Sequence, residues 1–213
     1  MRRSAFYALC LLAGALLFGI AGLFHPVLRG EGAAQLATIA STPQWRLIHW
    51  SLLFGLPLML TGLAGFVEQH RESPGAGPAR AGFVVATFAF ALWGLNILFM
   101  AGAGAHLAAT YAASEPGLAS THAVFLYDML HPFGLAAERL ATFGLGLAFY
   151  LLGWAAWNGR VVPRWLAWGA FGAGAACMII ALAVGETSVV LFYGQAAAVV
   201  WMALAGVVLL VRR

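Results

Sequence analysis

Six runs of about 20 consecutive apolar residues leave this chain little choice of fold. They lie at roughly 4–24, 47–67, 82–103, 135–157, 165–184 and 190–210. Each is long enough for one helix to cross the hydrocarbon core of a bilayer. A segment in lipid must satisfy its own backbone hydrogen bonds, so only helices and closed barrels cross. The runs lack the alternating pattern of barrel strands. The expected fold is therefore all-α: a single domain over 1–213, built as a bundle of six transmembrane helices, spans 1 to 6. Charged residues make up only 8% of the chain, where a soluble domain carries about a quarter, and this agrees with that reading.

Orientation follows from the basic residues, all eleven of which are arginine. With the N-terminus inside, Arg2, Arg3, Arg71, Arg80, Arg160, Arg164, Arg212 and Arg213 all fall on the cytoplasmic side. Only Arg29, Arg46 and Arg139 fall outside. Short basic connections stay cytoplasmic, so both termini are expected inside, in a multi-pass protein of a bacterial-type inner (plasma) membrane. The sequence pI near 9.6 is then a topology signal, and no nucleic-acid partner is expected. The opening "MRRSAFYALCLLAGALLFGIAGLF" has the basic start and apolar middle of a signal peptide. Its apolar run is a full span, so it is expected to remain as the first helix. Cys10 and Cys177 fall at different depths, which argues against a disulfide and for two small apolar fillers.

Connections at the inner end are short, whereas 25–46 and 104–132 at the outer end hold most of the polar chemistry. Among the 26 glycines, Gly19, Gly102 and Gly104, with Ala15, are expected where helices approach closely. Pro57 should kink span 2, and Trp50, Trp157, Trp165 and Trp168 suit interfacial anchors. Spans 5 and 6 carry no charged residue, so they are expected to contact lipid and a membrane-protein partner or second copy.

Histidine is distributed unevenly: His25, His49, His106, His122 and His131 all fall at outer ends, with only His70 inside. The carboxylates Glu31, Glu115, Asp128, Glu138 and Glu186 share that bias. Helical spacing puts His131, Leu135, Glu138 and Thr142 on one stripe of span 4, with Asp128 a turn above if the helix extends back past Pro132. Arg46 and His49 share a face of span 2, and span 3 adds Asn96 and His106. Buried ionisable groups in a membrane protein face the bundle interior and pair. One expectation is structural: Glu138 pairs with Arg46, while Arg139 pairs with Glu186 or a backbone carbonyl.

The sharper expectation is a cofactor site built at the outer face by spans 1 to 4. Neutral imidazole is the commonest metal ligand, so zinc or copper would draw on His49, His106, His131, Asp128 and Glu138. A b-type haem would need two of His49, His106 and His131 on facing helices. Redox or metal-assisted chemistry is the function this implies. Ser120, His122 and Asp128 hold the ingredients of a nucleophilic triad, but no nucleophile elbow accompanies them. Two other functions compete: a small-solute-binding transport subunit and a non-catalytic accessory or assembly subunit. In its six helices and short length the chain resembles the substrate-binding components of energy-coupling-factor vitamin transporters. Their A-x-x-x-A motif is approached only by Ala15 to Gly19, so no residue role carries over.

Overall fold

A computed structural model describes residues 3–115, 117–185 and 190–211. The described residues form helices joined by loops, without strands, and six helices are long and apolar enough to cross a membrane. They are α1 (Arg3–Leu23), α3 (Trp45–Gln69), α4 (Ala76–Phe99), α6 (Leu118–Gly159), α7 (Arg164–Ala183) and α8 (Val190–Val211). Two short helices complete the order, α2 (Gly32–Ala40) and α5 (Ala105–Ala113).

Each long helix packs on its neighbours in a closed ring: α1 on α3, α3 on α4, α4 on α6, α6 on α7, α7 on α8 and α8 back on α1. Inside the ring, Leu11, Met59, Leu63, Leu145, Leu152 and Met202 are fully buried. Backbones meet where side chains vanish. A Cβ on Gly62 or Gly65 would collide with Leu11 or Tyr7 of α1, and Gly146 faces the Gly174 carbonyl between α6 and α7. The close contacts are therefore not all where the composition pointed. Gly102 has open space beside it, and Gly19 has room for a methyl against Val199.

The two long connections at 25–46 and 104–132 are more structured than their composition suggests. Residues 104–132 are mostly helix: α4 runs through a π turn at Met100–Gly104 into α5, and α6 begins at Leu118. At 42 residues α6 is about 63 Å long, far more than a bilayer needs. Pro132 lies inside it, on the exposed side, and α3 likewise continues through exposed Pro57. Residues 24–44 form a strap across this end, carrying α2.

A small second core fixes the strap, with Leu36 and Ile39 of α2 against Trp45, Met100, Ala108 and Tyr127. Three polar ties reinforce it. Tyr127 donates its hydroxyl to Gln35 Oε1 at 2.9 Å, and Gln35 Nε2 donates to the Gly30 carbonyl at 2.9 Å. Trp45 Nε1 donates to the Met100 carbonyl, at the start of the π turn, at 2.9 Å. The opposite end carries exposed Arg71, Arg80, Arg160 and Arg164. There His70 is buried, its Nδ1 donating to the Phe66 carbonyl at 2.8 Å, and burial lowers its pKa below the ordinary imidazole value.

Candidate ligand cavity

Between the strap and the ring lies a cavity of about 370 Å³. Its walls come from α1, the strap, α3, α4, α6 and α8. Most of the lining is apolar, led by Phe18, Leu52, Trp93, Ile97, Leu135 and Phe192. The polar lining gathers into two groups.

The first is an imidazole pair. His49, 2% exposed, sits one turn beyond Trp45 on α3 and donates Nδ1–H to the Trp45 carbonyl at 2.8 Å. That bond leaves its Nε2 as the acceptor. His25, on the strap, supplies the donor, with the two Nε2 atoms 3.2 Å apart. Trp45 closes the cluster, its ring centroid 4.2 Å from that of His49 and 5.2 Å from that of His25. Burial lowers the His25 pKa below the ordinary value, and a backbone hydrogen bond at Pro26 offsets part of that shift.

The second group surrounds a carboxylate. Glu138 Oε2 accepts from Asn96 Nδ2 of α4 at 2.6 Å, and Glu138 Oε1 accepts from Gln195 Nε2 of α8 at 3.0 Å. Gln195 uses its other hydrogen on Thr142 Oγ1 at 2.9 Å, and Thr142 donates back to the Glu138 carbonyl at 2.9 Å. Two helices thus hold a carboxylate of a third through neutral amides. Asn96 Oδ1 is buried without a hydrogen bond, packed against the bare Cα of Gly134. His131, 8% exposed, lines the same cavity, with Tyr127 4.7 Å away ring to ring.

His49, His131 and Glu138 are thus brought to one cavity, and His106 and Asp128 are not. His106 is exposed on α5. Asp128 is exposed, its carboxylate lying against Gly32 at the amino end of α2, where a negative charge is favoured. Among the described residues no group of three or more His, Cys, Asp or Glu is placed to hold a metal ion.

The expected pairing of Glu138 with Arg46 is also absent. Arg46 is exposed, and Glu138 takes amide donors instead, because Asn96 and Gln195 face it across the ring. Arg139 points toward α7, donating Nε–H to the Ala181 carbonyl at 2.7 Å. Glu186 lies outside the described residues.

Two contributors escaped the sequence reading. Span 6 looks like scaffold because it is uncharged, yet α8 supplies Gln195, Leu191, Phe192 and Tyr193 to the cavity. A lone amide in a 22-residue apolar helix was the available signal. His25 was visible only as one more outer histidine, since nothing local shows that its loop folds back over α3.

Fold and cavity together define a class: a six-helix bundle of membrane-spanning dimensions, roofed by a strap, around an amphiphilic pocket. No family model, curated protein or solved structure matches the chain.

Proposed function

We propose that this chain is a membrane protein that binds a small amphiphilic organic molecule, capturing it at the outer face for transport or delivery. The observation that carries this reading is the cavity. At about 370 Å³ it falls in the range of small-molecule sites, and it joins an apolar body to a few ordered polar groups, as such sites do. The arginines at the opposite end favour the strap end facing outward. Such a ligand places its apolar part against Leu52, Trp93 and Ile97 and its polar end toward the imidazoles and Glu138.

Leu52→Trp tests the proposal, since it fills the cavity from α3 and leaves every polar lining group in place. Binding of 2-phenylethanol, an aromatic alcohol small enough for the space, should occur in the wild-type chain and vanish in the variant. Equal binding to both would place the alcohol elsewhere and remove the proposal's support.

A second reading keeps the metal, supported by the separation of the imidazole pair. Two imidazoles on one tetrahedral zinc stand about 3.4 Å apart, close to the 3.2 Å between His25 and His49. Stoichiometric zinc or copper in the purified chain, lost in His25→Ala and His49→Ala, would favour this reading. A metal-free chain would leave the organic ligand.

A further inference from the structure

The cavity's charge is one-sided. Glu138 is its sole carboxylate, and neither arginine nor lysine appears among the residues that line it. The two donors on Glu138 are neutral amides, so they orient the carboxyl group without supplying a cationic partner. Among the described residues the one ion pair is Arg71–Glu68, at the far end of the bundle. A negative charge in an apolar wall is costly without a partner, and a bound cation would remove that cost.

Hydrogen-bonding capacity leans the same way. Both hydrogens of the Gln195 amide are already used, on Glu138 and Thr142. Glu138 retains acceptor capacity beyond its two amide donors. The imidazole pair spends its own donors internally, on the Trp45 carbonyl and on His49 Nε2. Around the carboxylate, then, both Gln195 hydrogens are committed while Glu138 can still accept. Aromatic faces complete it: Phe18 and Trp93 pack with centroids 4.4 Å apart, and both line the cavity beside Phe192 and Tyr193. Aromatic faces attract cations as well as apolar groups.

Resting on the reading of this cavity as a ligand site, we propose that its ligand is an apolar organic amine bound as the ammonium cation. The ammonium donates to Glu138, and the hydrocarbon body lies against the aromatic wall. An anionic ligand would meet the carboxylate with neither arginine nor lysine to offset it, and a neutral alcohol would forgo the charge-assisted bond. Asn96 and Gln195 act as positioning residues for the carboxylate.

Three probes that share one aromatic body test the proposal: phenethylamine, 2-phenylethanol and phenylacetate, which at pH 7 are cation, neutral and anion. Equilibrium binding is measured on the full chain in nanodiscs of zwitterionic lipid, with empty nanodiscs as the blank. The ammonium should bind about tenfold more tightly than the alcohol, the difference between a charge-assisted and a neutral hydrogen bond, and phenylacetate should bind weakest. Glu138→Gln should remove the preference, bringing the ammonium down to the level of the alcohol.

The ranking on the wild-type chain stands without the variant, should Glu138→Gln fail to fold. Alcohol binding as tight as ammonium binding would overturn the amine proposal and leave the cavity reading intact. Failure of all three probes to bind would overturn both.

Discussion

Replacing Gln195 by leucine tests whether the carboxylate network exists as described. The side chain is 3% exposed and donates to Glu138 Oε1 at 3.0 Å and to Thr142 Oγ1 at 2.9 Å. Interhelical hydrogen bonds in membrane bundles contribute about 0.6 kcal/mol on average and about 1.7 at most. The bond to Glu138 belongs at the upper end because its acceptor is a carboxylate, and the bond to Thr142 near the average. Their sum gives a loss of about 2 kcal/mol.

Reversible unfolding in mixed micelles, applied to wild type, Gln195→Leu, Glu138→Leu and the double variant, separates the pair term from packing changes. The expected coupling between the two positions is about 1.5 kcal/mol, because the second substitution removes a group the first has already deprived of its partner. Losses that add to within about 0.5 kcal/mol would refute the reasoning, since that is how residues out of contact behave.

Further outcomes follow from other parts of the structure. Gly62→Ala should destabilise the bundle by about 1–3 kcal/mol, because its Cβ would run into Leu11. Gly102→Ala, with nothing within 4 Å, should leave stability unchanged or raise it by up to about 1 kcal/mol, both read from the same unfolding curves. Trp45→Phe removes the indole bond to the Met100 carbonyl and should cost about 1 kcal/mol, with greater protease access to the strap.

The lowered pKa of His25 has a definite pH signature. As the pH falls through the ordinary imidazole value of about 6.5, the unfolded chain takes up a proton that the folded chain resists. Stability therefore holds above that pH and declines from there down through the folded value. A melting series over pH should show the decline in wild type and a shallower one in His25→Ala.

The long apolar runs made six helices legible, because few other structures satisfy so much backbone without polar residues. Their ends were harder to read. Pro132 and the glycines of "MAGAGAH" look like helix breakers in sequence. In the fold, an exposed position accommodates the proline and a π turn carries the chain through the glycines, so α6 and α4–α5 extend well past the expected boundaries.

For the site, Glu138, His131 and Asn96 stood out because each is polar at helical spacing within an apolar run. Gln195 bears no charge and was passed over. His25 belongs to a loop, and its partner is 24 residues away, a contact made only by the return of the strap. The mistaken partner for Glu138 has the same origin. Charge complementarity pointed to Arg46, but the ring brings two amides to the carboxylate first.

The central claim, that α3, α4 and α8 enclose one accessible pocket, can be tested by cysteine reactivity in a Cys10→Ala/Cys177→Ala background. Single cysteines at Leu52, Ile97 and Leu191 line the cavity, while Val84 and Leu182 face outward and serve as controls. A small ammonium methanethiosulfonate should modify all three cavity positions, and phenethylamine should slow all three together while leaving the controls unchanged. Three unreactive positions, or reactivity that the amine does not alter, would contradict the account.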